Sequence, residues 1–238
     1  ATSLNRARDR NEMLVGELRT VTDSLAHDLR TPLARLRSNL ESVFEQATMQ
    51  SGLGDEVGAA LEQLDYVESV FRSMLDIVRA ESGLARDQFE MVDLGKALES
   101  AVELYQPLAE SKQVSLEIST RPALEIFGHA QFLSSAMANL LDNAVKYSPS
   151  GARILARAGR LDGRAFFEIS DAGPGIPADA FDRAQERFAR LEQDRGLSGA
   201  GLGLSLVATV ARMHQANIVR VDQPVGLRIR LCFPEAPD

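Results

Sequence analysis

One cysteine in 238 residues, Cys232, leaves no partner for an internal disulfide and suits a reducing compartment. No run of 18 or more apolar residues occurs, so no segment reads as a bilayer-spanning helix. The charged start, apolar run and small-residue cleavage site of a secretory signal are missing too. The chain begins in mid-pattern at Ala1-Thr2-Ser3-Leu4, as an excised fragment would. There is no G-x-x-x-x-G-K-[ST], which excludes a P-loop, and no H-E-x-x-H. His129 and His214 have no cysteine or histidine partners at ligand spacing, so no zinc site is expected. Internal repeats and low-complexity tracts are absent. With 26 basic and 34 acidic residues the formal charge is -8, spread along the chain without a basic stripe. That balance argues against nucleic acid or an anionic membrane as the main partner.

The rest of the composition, 45% hydrophobic and 25% charged, is that of a globular chain long enough for two domains or one large one. Leu14, Leu18, Val21, Leu25, Leu29, Leu33, Leu36, Leu40 and Val43 recur three or four residues apart, predicting a helix from about Leu4 to Thr48. It breaks at Gln50-Ser51-Gly52-Leu53-Gly54-Asp55. A second stripe, Val57, Leu61, Leu64, Val67, Phe71, Met74 and Val78, runs to Glu81-Ser82-Gly83. Together they predict an antiparallel hairpin. Each helix can bury only one stripe against the other, so a symmetric dimer forming a four-helix bundle would cover the remaining apolar face. Packing on a second domain is the alternative.

His27 lies off the apolar seam, with Asp28 beside it and Thr31 one turn further on the same face. A nucleophilic nitrogen, a carboxylate and a hydroxyl thus share one patch, and Pro32 kinks the helix just beyond it. A lone helix histidine is ordinarily solvated decoration, and becomes a site candidate only with named partners.

From about Arg86 the pattern turns to short strands and helices, an α+β arrangement. Helices are predicted over Asp93 to Ala109, Ala130 to Lys146 and from Gly203 to about Met213. Strands are predicted over Val114 to Ile118, Ala123 to Phe127, Arg153 to Ala158, Arg164 to Ser170, Asn217 to Val221 and Leu227 to Phe233. Leu161-Asp162-Gly163 is a hairpin signal. The expected division is residues 1–84 and residues 85–238.

Asn139, Asn143, Lys146 and Tyr147 are spaced to share a helical face. An amide oxygen suits Mg²⁺ held jointly with phosphate, lysine neutralises phosphate, and a tyrosine ring can lie along a base. Two helix asparagines alone are more often surface decoration. Asp171-Ala172-Gly173-Pro174-Gly175-Ile176 places an acceptor-only carboxylate beside glycines, suited to an adenine amino group; alone it is also a common turn. Gly199-Ala200-Gly201-Leu202-Gly203-Leu204, at a helix start, offers backbone donors and the positive dipole end to phosphate. It is not a dinucleotide fingerprint, because a charged stretch, Arg190 to Ser198, precedes it.

The order of these parts carries more than any one of them. His27-Asp28-Leu29-Arg30-Thr31-Pro32-Leu33, then the Asn139 to Tyr147 helix, the Asp171 loop and the glycine run resemble the cytoplasmic core of a bacterial sensor histidine kinase. The resemblance covers essentially the whole chain. It implies a dimerisation and phosphotransfer hairpin followed by an α/β sandwich ATPase domain of the gyrase, Hsp90 and histidine kinase type.

On that resemblance His27 attacks the γ-phosphate of ATP through Nε2, Asp28 orients the ring and takes the proton, and Asn143 is the Mg²⁺ ligand. Asn139 and Lys146 lie near the phosphates, Tyr147 along the adenine, and Asp171 on its amino group. Gly173, Gly175 and Ile176 are further nucleotide-binding residues, and Gly199 to Leu204 close over the phosphates. Phe188-Ala189-Arg190 resembles the family's phenylalanine box, so Arg190 would stabilise the transferring phosphoryl group. Thr31 matches the position that orients water for dephosphorylation of the partner. That partner would be a response-regulator receiver domain, and the parent protein an inner-membrane sensor with this portion in the cytoplasm. Two places depart from the pattern. His129 stands where many members have aspartate, and Pro224-Val225-Gly226-Leu227 lacks the usual Gly-Ser/Thr step. A nucleotide-poor signalling scaffold would not need Asn143, Asp171 or the glycine run. A conformational ATPase of the gyrase type would not need His27 beside Asp28.

Overall fold

The computed structural model describes residues 33, 36–38, 40, 43, 53–81, 87–122, 124–189 and 201–235, with side chains in the second helix from Val57 onward. His27, Asp28, Thr31, Arg190, Gly199 and Ala200 lie outside the described residues. The chain divides into two compact units that part between Ser82 and Gly83.

In the first unit Leu33, Leu36, Arg37, Ser38, Leu40 and Val43 are helical, and α1 spans Leu53–Glu81. Val57, Leu64, Ile77 and Ala80 of α1 are buried. Arg37 pairs with Asp65 of α1 at 2.7 Å, an exposed contact of small energetic value. Val67 and Met74, on the predicted apolar stripe, are each 49% exposed. No helix among the described residues is long and apolar enough to cross a membrane.

The second unit runs β1 (Glu90–Asp93), α2 (Leu94–Ser111), β2 (Ser115–Ser119), β3 (Glu125–Gly128), α3 (Ala130–Tyr147), β4 (Arg153–Leu161), β5 (Arg164–Ser170), α4 (Phe181–Ala184), α5 (Gly203–Met213), β6 (Asn217–Arg220) and β7 (Arg228–Cys232). β1 and β3 form an antiparallel pair. The main sheet has the order β2-β4-β5-β7-β6, with β2 parallel to β4 and every other pairing antiparallel. The two-residue period of the strands sends Ile154, Ala156, Phe167, Ile169, Ile229 and Leu231 to the face covered by the helices, where all are 3% exposed or less. Leu98 of α2, Leu133, Met137 and Leu141 of α3, and Leu206 and Val210 of α5 complete that core.

β1 is an element the sequence pattern did not predict. Its pairing with β3 supplies the backbone order that four residues with one buried side chain cannot signal. Helix α2 begins where Asp93 Oδ1 accepts from the Gly95 and Lys96 N–H groups, at 2.9 and 3.3 Å, and it continues through Pro107 to Ser111. Pro107 is exposed, so the carbonyl it leaves unbonded can face water. β4 runs to Leu161, three residues past the predicted end, because it pairs with β5 as far as the Asp162-Gly163 turn.

Candidate functional site

Helix α3 organises the site. Its apolar side, including Leu133, Met137, Leu140, Leu141 and Ala144, is buried, which turns Asn139, Asn143, Lys146 and Tyr147 to a half-buried flank. Asn139 Nδ2 donates to Ser135 O at 2.8 Å, which holds the amide and turns its oxygen outward. That oxygen meets the start of α5: a Cβ on Gly203 would stand 2.9 Å from Asn139 Oδ1 and 3.5 Å from Asn143 Nδ2. Only glycine admits so close an approach of backbone and amide. Leu202 stands at the N-cap position of α5 and supplies no side-chain cap to its first turn, whose N–H groups carry the positive end of the helix dipole. Leu202 and Leu204 are themselves buried and pin this turn.

The Asp171 loop meets the other end of the flank. A Cβ on Gly173 would lie 3.0 Å from Tyr147 O and 3.2 Å from Tyr147 Cβ. Asp171 Oδ1 accepts from Gly173 N–H at 2.8 Å and Leu227 N–H at 3.0 Å. Both bonds go to one oxygen, and Oδ2 remains as an acceptor. Burial pushes the Asp171 carboxyl above the ordinary carboxylate range, and the two N–H donors oppose that rise. Ile176 and Gly175 are half-buried beside it. Lys146 Nζ lies 5.2 Å from the Tyr147 ring centroid, a cation held over an aromatic face.

The residues that hold Asp171 were not among the sequence candidates. The Asp171 backbone N–H donates to Leu227 O at 2.9 Å, and Gln223 Nε2 donates to Asp171 O at 3.0 Å. Gly226, at φ +84°, packs its Cα against the Asp171 carbonyl, leaving no room for a side chain. The segment lacking the Gly-Ser/Thr step therefore works here as the brace of the carboxylate loop. Lys112 was missed as well: its Nζ donates to Val145 O at 2.7 Å and to Lys146 O, capping the C-terminal end of α3 from the end of α2.

Phe188 adopts a left-handed backbone, φ +61°, and is 59% exposed, and the Phe188-Ala189 backbone packs directly on Gly201. The structure thus brings together Asn139 and Asn143 with Gly203, Tyr147 and Asp171 with Gly173, and Phe188 with Gly201. Among the described residues no group of three or more His, Cys, Asp or Glu side chains could hold a metal ion. The amide oxygens of Asn139 and Asn143 suit Mg²⁺ only in company with phosphate oxygens and water.

His129 and His214, apart in sequence, are in contact. The His129 N–H donates to His214 Nε2 at 2.9 Å, and His214 Nδ1–H donates to Val210 O at 2.8 Å. The Phe89 ring stacks on His214 at 4.9 Å. This pair forms a structural plug at the start of α3 and touches none of the site residues above.

The comparisons with known proteins agree with this geometry. Residues 17–83 match the His Kinase A phospho-acceptor domain, and residues 128–237 match the histidine kinase-, DNA gyrase B- and HSP90-like ATPase family. The signal transduction histidine-protein kinase/phosphatase MprB of Mycolicibacterium smegmatis is 31% identical over 233 residues, 92% of this chain and 46% of that protein. The sensor histidine kinase CusS of Escherichia coli O157:H7 is 25% identical, over 98% of this chain and 48% of its own. The chain thus spans about half the length of these relatives. The structure of full-length ShkA in complex with AMPPNP superposes with a TM-score of 0.70 at 25% identity, over 90% of this chain and 45% of that one. A solved mycobacterial sensor histidine kinase, MprB, is 30% identical with a TM-score of 0.53, over 63% of this chain and 99% of its own. On these matches, and on a fold that sets the asparagine, aspartate and glycine segments against one another, the chain belongs to the sensor histidine kinases.

Proposed function

We infer that this chain is the kinase core of a sensor protein, with a phosphotransfer hairpin over residues 1–84 and an ATP-binding domain over residues 85–238. It phosphorylates His27 from ATP and passes the phosphoryl group to an aspartate of a response-regulator receiver domain. The observation that carries the reading is the Asp171 carboxylate, braced through Oδ1 by Gly173 and Leu227 with Oδ2 left to accept. Oδ2 accepts from the adenine amino group, and Tyr147 lies along the base. Asn139, Lys146 and the uncapped first turn of α5 take the phosphates. Asn143 would hold Mg²⁺, which supplies charge neutralisation between the phosphates.

In the transfer the His27 Nε2 lone pair forms a bond to the γ-phosphorus as the bond to the β-phosphate oxygen breaks and ADP leaves. The ring proton on Nδ1 passes to Asp28, and Arg190 stabilises the charge on the transferring group. Thr31 orients water in the reverse duty, removal of phosphate from the regulator. The names of the matched kinase/phosphatase relatives support that second activity. Val67 and Met74, uncovered in a single chain, support the homodimeric four-helix bundle. The matched relatives are sensor kinases, which supports an inner-membrane parent with this portion in the cytoplasm; nucleic acid is not a partner in this reading.

The test is incubation with Mg²⁺ and γ-labelled ATP, beside His27→Gln and a sample with chelator. Label that is lost in acid, survives alkali and is absent from the variant and the chelated sample is expected. Nucleotide binding with no label on the protein would overturn the reading.

A further inference from the structure

The face of the main sheet turned away from the helices is rich in arginine. Strand register lines up Ser119, Arg157, Glu168, Arg230 and Val219 as one row across all five strands. Glu168 is 1% exposed, and each of its oxygens is taken by one arginine. Arg157 Nη1 reaches Oε1 at 3.1 Å, and Arg230 Nη2 reaches Oε2 at 2.6 Å. In the adjoining row Gly159 faces Phe166, whose ring lies so close that a Cβ on Gly159 would come within 3.2 Å of it. The Arg230 guanidinium sits 4.8 Å from the centroid of the same ring. Arg230 is therefore fixed from two sides, by a buried carboxylate and by an aromatic face.

Above Gly159 this arrangement leaves a cavity of about 160 Å³, walled by Arg121, Arg157, Arg160 and Arg230. No carboxylate lines it. Glu168, behind the wall, is one negative charge against the three guanidinium groups of Arg121, Arg157 and Arg230, since the two-residue period of β4 turns the Arg160 side chain to the other face. Arg160 instead spends its guanidinium at the hairpin turn, donating to the Gly163 carbonyl at 2.9 Å. Gathering three like charges around one small space is unfavourable unless an anion enters, and the chain as a whole carries the opposite sign, -8. The guanidinium fork matches phosphate and carboxylate oxygens two at a time. The volume is well below the roughly 300 Å³ at which pockets for drug-sized molecules begin, so a nucleotide does not fit.

We propose that this cavity is a binding site for a small free oxyanion carrying two or more negative charges, a phosphate or a polycarboxylate. It lies on the opposite face of the sheet from α3 and α5, so it is separate from the nucleotide site and independent of the kinase reading. Arg157 and Arg230 are pre-ordered by Glu168 and Phe166, while Arg121 closes the rim.

The test is a set of proton-nitrogen NMR titrations of the nucleotide-free chain with inorganic phosphate, with citrate and with sodium chloride at matched ionic strength. Saturable shifts centred on the Gly159 amide and the Arg157 and Arg230 Nε–H signals are expected from phosphate or citrate and not from chloride. The variant Arg121→Ser weakens that binding about tenfold, as loss of one charge-assisted contact should. Arg153→Ser, on the same sheet face but paired with Glu117 outside the cavity, leaves it unchanged. Equal weakening by Arg153→Ser would reveal diffuse surface charge and overturn the site. Non-saturating shifts, shifts centred on Gly203 instead of Gly159, or saturation only by an acidic peptide would overturn it too.

Discussion

At its first turn α3 meets His214 in a closed cluster, while along its last three turns it carries Asn139, Asn143, Lys146 and Tyr147 half-exposed. Both ends are polar, yet their polar atoms are spent differently. At the closed end His129 and His214 are 7% and 4% exposed, His214 uses both ring nitrogens within the protein, and Gln88 Oε1 stands 3.0 Å from His129 Nε2. His129 Nδ1 is buried with no hydrogen-bond partner among the described residues. At the open end Asn139 is held through Nδ2 and Asp171 through Oδ1, and each keeps its other polar atom free. Being half-satisfied distinguishes a binding group from a structural one here. Substitutions at the two ends should separate affinity from stability.

The largest effect is expected from Asp171→Ala. It removes the acceptor shared by Gly173 and Leu227 along with the free oxygen, and hydrogen bonds to a charged group are each worth about 1.5–3 kcal/mol. Calorimetric titration should show ATP affinity reduced about a hundredfold. A loss below about fivefold would remove Asp171 from the site.

Gly128→Ala probes the closed end. Its Cβ would stand 2.7 Å from His214 Cδ2 and 2.9 Å from Nε2, against a ring already stacked on Phe89. Overpacking of this kind costs about 1–3 kcal/mol, to be read from the urea midpoint of the ATP-binding unit. ATP affinity of the folded protein should not change. A variant that keeps its stability and loses affinity would abolish the distinction between the two ends.

Acid acts on the same end. Burial lowers both His129 and His214 below the ordinary histidine range of about 6.5; the neighbouring histidine lowers His214 further. Hydrogen bonds to the backbone oppose both shifts, and Glu90 opposes that of His129. The folded state then binds fewer protons than the unfolded one. Their contribution is fully present above about pH 6.5 and falls as pH drops below it, by at most about 1 kcal/mol per histidine down to pH 5.5. Urea midpoints between pH 8 and 5 should be level above 6.5 and decline below. A flat profile would mean that the pair is already charged or exposed.

The sheet, the three long helices of the second unit and the Asn139, Asp171 and Gly203 segments were legible because each announces itself locally, by period or by glycine. β1 was not, since only its partner β3 defines it. Nor were Gln223, Gly226 and Leu227: they lie over 50 residues from Asp171 in sequence, and Gln223 acts through its side-chain amide, the other two through backbone groups that no side-chain pattern marks. The histidine pair was hidden by a separation of 85 residues, and the arginine face by even spacing along the chain. Arg153 and Arg157, or Arg228 and Arg230, look scattered until the two-residue period of a strand places them on one side. A linear reading detects stripes on helices more readily than clusters assembled across five strands.

Lys112 tests whether the open end depends on being held as well as on being free. Its ammonium caps the Val145 and Lys146 carbonyls, where the helix dipole is negative, and so fixes the turn that carries Lys146 and Tyr147. Lys112→Met keeps the length and removes the donor. The loss should be about 0.5–1.5 kcal/mol of stability, one net hydrogen bond, with ATP affinity falling only roughly two- to threefold because Asp171 and Asn143 are untouched. Melting temperatures with and without ATP separate the two effects. If affinity fell as far as in Asp171→Ala, the placement of the last turn of α3, and not the free oxygen of Asp171, would be what selects the nucleotide.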